Sequence, residues 1–473
     1  MPAIDVKSLK GITADSRQVE AGFLFAALPG AKVDGRDFID AAIDKGAVAV
    51  LAQTGTKISR DDVVLIEDDN PRRRLGLIAA EFYGVQPATI AAVTGTNGKT
   101  SVVTFTEQLW RALGEKAASM GTLSGKLTTL DSVTLHRELA AMSARGVTHL
   151  ALEASSHGLD QCRLAGVKIS AAGFTNLSRD HLDYHGTLES YLAAKALLFS
   201  DALSSDGTAV LNADVPEYAM LHDAASGKNE MSYGMAGQGI KLLHATPVGH
   251  GQDIALELGG KRYDFTLPLV GKFQTMNALC ALGLVMASDP DNQMRNEKLI
   301  TALQNLAGVR GRLQPVAGHP AGAGVYVDYA HTPDALENIL TALRPHTKGR
   351  LFCVFGCGGD RDKGKRPLMG DIATRLADVA IVTDDNPRSE EPAAIRAEIM
   401  AGAPGAQEIG DRRRAIGEAI NQLREGDVLA IAGKGHEQGQ IFKDRTDPFD
   451  DVQVASEFIR KLSKPPAGEN NNE

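Results

Sequence analysis

The chain has 473 residues, a formal net charge of -9, 43% hydrophobic and 23% charged residues. That length exceeds one ordinary core and, at about 150 residues per domain, predicts three domains. The composition holds no run of roughly 18 apolar residues able to span a bilayer, and the acidic balance excludes a general attraction to nucleic acid or anionic membrane. The N-terminal MPAIDVKSLKG has neither the basic start nor the apolar stretch of a secretion signal, so the expectation is a cytoplasmic monomer in a reducing compartment. Cysteine usage agrees: Cys162, Cys280, Cys353 and Cys357 read as packing residues, and the last pair lacks the two-residue spacing of zinc and thioredoxin motifs.

In chain order, the apolar runs GFLFAAL, AVAVLA and VVLIED, with a helical pattern over 38–46, predict a small N-terminal α/β domain that ends near GVQP (84–87). TIAAVTG then runs through a glycine turn into an amphipathic helix over 101–113, the strand, loop and helix order of a nucleotide-binding unit. Strands at HLALEA, AAGFTN and TAVLNA follow, and a parallel sheet with helices on both faces is the economical arrangement. Beyond Gly311, VYVDYA, RLFCVFG, VAIVTDD and DVLAIAG alternate with helical stretches and predict a second, smaller doubly wound sheet. The fold class is therefore α/β with three domains: a small N-terminal α/β domain (1–87), a central P-loop-type parallel-sheet ATPase domain (88–312) and a C-terminal Rossmann-like domain (313–473). The tail SKPPAGENNNE reads as disordered.

The sharpest local signal is GTNGKT, from Gly95 through Thr96, Asn97, Gly98 and Lys99 to Thr100, followed by Ser101 at the start of a helix. Backbone N–H groups, Lys99 and the helix N-terminus can gather there around phosphates, with Thr100 on magnesium. Val93 stands where a strict motif has its first glycine, and an ordinary glycine-rich turn is the competing reading. No Asn-Lys-x-Asp element follows, which favours ATP over GTP. Glu153, at the end of HLALEA, lies at the carboxyl edge of the same sheet and suits a magnesium ligand, against a solvated loop glutamate. His157, nearby, reads first as a hydrogen-bonding scaffold. In YLAAKALLF a single lysine, Lys195, interrupts an apolar helix. It either snorkels to solvent or is buried, with a lowered pKa that would let it take up carbon dioxide as a carbamate.

In the last domain DNPR (385–388) follows the strand VAIVTD, so Arg388 offers a planar fork to a carboxylate near a ligand crevice. An exposed turn arginine is the alternative.

GTNGKT, LEASSHGLD, GFTNLSRDHLDYH, YLAAKALLF, VLNAD, DYAHTPD, FGCGGDRDKGKRP, DNPRSEEP and AGKGHE together resemble the Mur ligase family over nearly the whole chain. The resemblance implies an ATP-dependent ligase of peptidoglycan precursor synthesis that adds meso-diaminopimelate to UDP-N-acetylmuramoyl-L-alanyl-D-glutamate. It implies that Lys195 is carbamylated (N6-carboxylysine) and holds Mg2+ together with Glu153 and His181. It implies that Asn277, Arg312, Asp328 and His331 contact ATP, and that Ser16, Arg17, Thr128, Thr129, Ser155, Gln161 and Arg163 meet the UDP substrate. Arg361, Asp385, Asn386, Arg388, Gly433 and Glu437 would read the incoming amino acid. Two departures stand out: the segment before LTTLD (127–131) is shorter than the family's, with Leu130 in place of a proline, and PFDD (448–451) continues as VQVA. The competing functional readings are a lysine-adding or folylpolyglutamate-type ligase, a small-molecule kinase, and a nucleotide-binding regulator without turnover.

Overall fold

The computed structural model describes residues 5–30, 33–123, 125, 127–249, 251–288 and 295–463. The tail beyond Ser463 lies outside the described residues. The chain forms two compact units, one of residues 1–241 and 277–299, the other of residues 242–276 and 300–473.

The first unit opens with β1 (Gly11–Thr13), β2 (Phe23–Ala26), β3 (Ala49–Gln53) and β4 (Val64–Asp68), a parallel sheet in that order, with α1 (Ile39–Asp44) and α2 (Pro71–Tyr83). Side chains alternate across it as strand geometry requires: Leu24 and Ala26 pack towards Leu75 and Ile78 of α2, and Phe25 and Ala27 pack towards Ile39 and Ile43 of α1. Pro71 at the first turn of α2 and Asn70 as its cap fix where that helix begins.

A second sheet follows, from β5 (Thr89–Thr94), β6 (Ala117–Met120), β7 (His149–Glu153), β8 (Ile169–Phe174), β9 (Leu203–Asn212) and β10 (Asn229–Gly234), with β11 (Ile240–Val248) beginning in this unit. Its order β10-β9-β8-β5-β7-β6 is parallel throughout. Between these strands run α3 (Lys99–Ala112), α4 (Ser132–Ala144), α5 (Ser156–Asp160), α6 (Leu182–His185), α7 (Leu188–Leu197) and α8 (Tyr218–Ala224). Leu135 and Leu139 of α4 and Ala196 of α7 cover one face beside Ile90, Leu150 and Phe174. On the other face a Cβ at Gly173 would meet Cys280 and Leu284 of α9 (Lys272–Ala287). The order places β5, β7 and β8 side by side, so the loops at their carboxyl ends converge.

In the second unit, β12 (Gly251–Leu258) and β13 (Lys261–Leu267) form an antiparallel hairpin. Gly259 and Gly260, at φ 56 and 77°, make its two-residue turn, for which positive φ at both positions is the requirement. The alternation in IALELGGKRYDF carried that signal, and an all-parallel reading of the region passed over it. After α10 (Asn296–Leu303) come β14 (Gln314–Pro315), β15 (Gly324–Asp328), β16 (Leu351–Phe355), β17 (Val379–Val382), β18 (Gln407–Glu408) and β19 (Val428–Ala432). They form a sheet in the order β14-β15-β19-β16-β17-β18, parallel except for the edge pair β14 and β15. Leu351, Cys353 and Phe355 face α11 (Pro333–Leu343), α12 (Lys365–Leu376) and α13 (Pro392–Met400). Phe352 and Val354 face α14 (Arg412–Gln422) and α15 (Asp451–Leu462), and β20 (Gly439–Ile441) and β21 (Thr446–Pro448) pair outside this sheet. Cys280, Cys353 and Cys357 are buried free thiols, and burial pushes each up to about 12, so they are packing residues.

Candidate active site

The loop after β5 owes its shape to glycine. Gly95 and Gly98 have φ 147 and 89°, and a Cβ on Gly95 would stand 1.9 Å from Thr175 Oγ1, one on Gly98 2.3 Å from Asn277 Oδ1. Gly98 caps α3 without a side-chain hydrogen bond, so the first N–H groups of the helix face the loop, the arrangement that receives phosphate. The segment after β8 braces the loop: Thr96 N donates to Asn176 O at 2.8 Å, Asn97 N to Asn176 Oδ1 at 3.0 Å, and Ser178 N to Thr96 Oγ1 at 3.0 Å. Lys99 Nζ donates to Gly95 O and Thr96 O, both at 2.9 Å. Ser101 is buried in the first turn of α3.

Thr100 Oγ1 donates to Glu153 Oε1 at 3.0 Å, and Glu153 is buried at the end of β7. The same carboxylate accepts from Thr122 N at 2.9 Å and from Thr122 Oγ1 at 3.2 Å, a partner that sequence reading missed. A Cβ on Gly121 would overlap Glu153, so the turn after β6 closes directly onto the acid.

Lys195 is 1% exposed, which settles the choice the helix pattern left open. Its Nζ donates to Gly95 O at 2.9 Å and lies 4.1 Å from the centre of the Tyr191 ring. Burial holds the ammonium well below the ordinary lysine range; the charge of Lys99 adds to the effect and Asp180 opposes it. Two lysines thus converge on the carbonyl of Gly95.

His181 adopts φ 54° and its Nε2 lies 3.4 Å from Asp180. Its ring stands 5.0 Å from that of His157, which packs on Tyr184 at 4.1 Å. Burial, then the neighbouring His181 and His185, lower the pKa of His157.

The residues expected around the UDP substrate fall into two places. Thr128, Thr129, Ser155, Gln161 and Arg163 form one network: Thr129 Oγ1 donates to Glu153 O at 2.9 Å and accepts from Ser155 N at 2.9 Å, and Thr128 Oγ1 lies 3.1 Å from Thr122 Oγ1. Arg163 Nη1 donates to Thr129 O at 2.6 Å and its Nη2 to Gln161 Oε1 at 2.8 Å. Burial lowers this guanidinium, and the positive charge of Arg72 adds to the effect. Ser16 and Arg17 sit instead beside the N-terminal sheet, where Arg17 is exposed and paired to Asp15 at 2.8 Å. Of the shortened segment before Thr128, positions 124 and 126 lie outside the described residues.

In the second unit Arg312, Asp328 and His331 gather around Tyr329. The Arg312 guanidinium lies 4.8 Å from the Tyr329 ring centre and the His331 ring 4.6 Å from it. Asp328 is buried and accepts from Leu313 N at 2.6 Å and Ala330 N at 2.8 Å; desolvation raises its pKa, against the pull of Arg312.

Of the residues expected to read the amino acid, Asp385, Asn386, Gly433 and Glu437 meet in the same unit at the ends of β17 and β19. Asn386 Nδ2 donates to Glu437 Oε2 at 2.7 Å, and Gly433, at φ 115°, brings the chain so close to Asp385 that a Cβ would stand 3.0 Å from its Oδ2. Arg388, at φ 53°, donates Nη1 to Gly359 O at 2.9 Å. Arg361, in the loop after β16, is exposed. The doubled aspartate of PFDD is structural: Asp450 caps α15 and pairs with Arg310 at 2.7 Å, and Asp451 pairs with Arg412, both fully buried.

Among the described residues no group of three or more His, Cys, Asp and Glu side chains is placed to hold a metal. The oxygen donors Thr100 and Glu153, 3.0 Å apart at the phosphate loop, have the chemistry that a hard cation such as magnesium takes.

The glycine loop between β5 and the N-terminus of α3, at the carboxyl edge of a parallel sheet, is the arrangement of phosphate-binding α/β proteins. Residues 8–83 match the Mur ligase family catalytic domain, 93–285 the Mur ligase middle domain and 311–435 the Mur ligase glutamate ligase domain. The chain belongs to the Mur ligase family, with its three-domain architecture. It is 54% identical over 461 residues, 94% of each chain, to the UDP-N-acetylmuramoyl-L-alanyl-D-glutamate--2,6-diaminopimelate ligase of Caulobacter vibrioides. It is 51% identical over 473 residues, 96% of each chain, to the protein of that name from Bradyrhizobium diazoefficiens. A solved structure of a ligase of that name superimposes with a TM-score of 0.72 at 36% identity, covering 97% of this chain and 96% of the other. The MurF ligase from Thermotoga maritima in complex with ADP shares the fold, with a TM-score of 0.64 at 19% identity over 97% and 99% of the two chains. No helix among the described residues is long and apolar enough to cross a membrane.

Proposed function

We propose that this chain is the ATP-dependent ligase that joins meso-diaminopimelate to UDP-N-acetylmuramoyl-L-alanyl-D-glutamate in cytoplasmic peptidoglycan precursor synthesis. The observation that carries this reading is the 54% identity, over 94% of both chains, to a relative named for that activity. In the same reading the domains are 1–87 for the UDP substrate, 88–312 for ATP and 313–473 for the amino acid.

The terminal carboxylate of the dipeptide attacks the γ-phosphorus of ATP, the bond to ADP breaks, and an acyl phosphate forms. The loop N–H groups and Lys99 meet the charge that moves with the phosphoryl group, which is where such sites gain most of their rate. Magnesium would be held by Thr100, Glu153, His181 and a carboxylated Lys195, and supplies neutralisation of phosphate charge when bound. The burial and depressed pKa of Lys195 support this modification, since only a neutral amine adds to carbon dioxide. The amine of diaminopimelate then attacks the acyl carbon, loses a proton and expels phosphate, leaving an amide. Arg163 and the hydroxyls of Thr128, Thr129 and Ser155 suit the anionic substrate, and Arg388, Arg361, Asp385, Asn386 and Glu437 suit an acceptor with two ammonium and two carboxylate groups.

ADP release tests the reading, measured with ATP, magnesium and the UDP-muramoyl dipeptide, with meso-diaminopimelate or L-lysine as acceptor. Turnover with diaminopimelate alone is the expected result. Equal turnover with lysine overturns the specificity, and amine-independent release overturns the ligase.

A further inference from the structure

Lys434, in AGKGHE, has no part in the sequence reading or in what the family resemblance implies. It is 0% exposed, yet it lies at the centre of the amino-acid network. Its Nζ donates to Asn386 Oδ1 at 2.7 Å and to Glu437 Oε2 at 3.2 Å, and stands 3.5 Å from Asp385 Oδ1, a buried oxygen with no hydrogen-bond partner. A buried lysine is costly and is tolerated where anions and acceptors surround it.

Its effect on Asn386 is specific. The side-chain oxygen of Asn386 receives two groups that can only donate, Lys434 Nζ and Ile441 N, the latter at 3.0 Å. Its nitrogen faces an acceptor, Glu437 Oε2, at 2.7 Å. The amide therefore has one orientation, with its oxygen turned to Lys434 and its NH2 turned away. One proton of that NH2 is used by Glu437 and the other is left to donate. Around the one ammonium stand two carboxylates, Asp385 and Glu437.

We propose that Lys434 is a positioning residue for the acceptor amino acid, fixing the Asn386 amide so that its second N–H is left to donate and spacing Asp385 and Glu437 so that they receive an ammonium group. The inference rests on the ligase reading for the identity of the acceptor. Without the Lys434 ammonium, Asn386 keeps only the Ile441 contact on its oxygen, and the two carboxylates lose the charge between them. The acceptor then meets a site whose donor and acceptors are no longer fixed, a loss that falls on binding before it falls on chemistry.

The test is steady-state ADP release by full-length wild type, Lys434→Met, Lys434→Gln, Asn386→Ala and the double variant Lys434→Met/Asn386→Ala, with melting midpoints taken alongside. Lys434→Met should raise KM for meso-diaminopimelate about tenfold or more, with kcat within about threefold and KM for ATP unchanged. Lys434→Gln keeps a polar, folded core if Met does not, and should raise the same KM. The double variant should cost no more than the larger single one, because the two residues act through one contact. An unchanged KM in folded variants, a fall confined to kcat, or simple additivity overturns the assignment. If wild type turns over L-lysine instead, the proposed substrate is wrong, and a raised KM for lysine in the variants still supports Lys434. If wild type uses neither amine, both fall.

Discussion

The glycine loop of the first unit, proposed to hold phosphate, and the Lys434 network of the second, proposed to hold the amino acid, are built on opposite plans. The loop is local: six consecutive residues after a strand supply glycine geometry, backbone N–H groups and Lys99, and neighbouring strands only brace it. The second network is assembled from Gly359, from 385–388, from 433–437 and from Ile441, and its atoms meet through side chains, with Gly359 O and Ile441 N added from the backbone. A site of the first kind depends on a few irreplaceable residues. One of the second kind spreads its function over side chains that hold one another.

The variants that break this comparison differ in size. In the proposed mechanism Lys99 meets the moving phosphoryl group, so Lys99→Met should lower turnover by about 10³ or more, and ADP release with an unchanged circular dichroism spectrum checks it. Asp451→Asn, in the second unit, leaves Arg412 buried against half a partner and should cost about 3–5 kcal/mol of folding stability, read from denaturant unfolding. In the proposed reading Arg388 grips an acceptor carboxylate with both prongs of its guanidinium, so Arg388→Lys should raise KM for meso-diaminopimelate about 10- to 100-fold with a smaller change in kcat.

Lys195 sharpens the contrast through pH. Its unmodified amine titrates well below the ordinary lysine value when folded, so the unfolded chain binds more protons between that depressed value and about 10.4. Stability then rises with pH across that window, and the cost of burying the amine is full only below it. Lys195→Met should flatten this slope and raise the neutral-pH melting midpoint while abolishing turnover, checked by melting curves over a pH series. Arg17→Ala removes an exposed pair with Asp15 and should leave the melting midpoint where it was.

Much of this was legible because the signals are contiguous. GTNGKT, the strands beside it, the strand-end Glu153 and DNPR are read from neighbours in sequence, and backbone geometry turns such neighbours directly into structure. The β12 and β13 hairpin was legible too, through its two glycines, and was passed over for a parallel reading.

Other features have no local signal. From its own helix Lys195 could equally have snorkelled; only packing against Gly95, 100 residues earlier, and Tyr191 decides that it is buried and depressed. Thr122 reaches Glu153 from 31 positions away, and Lys434 reaches Asn386 from 48. The sequence by itself determined the elements, the phosphate loop and the family, because these depend on periodicity and short ordered motifs. Which lysine is buried, which amide is turned and which acid is shared were decided by tertiary structure alone, since burial and hydrogen-bond partnership are properties of distance in space rather than of order along the chain.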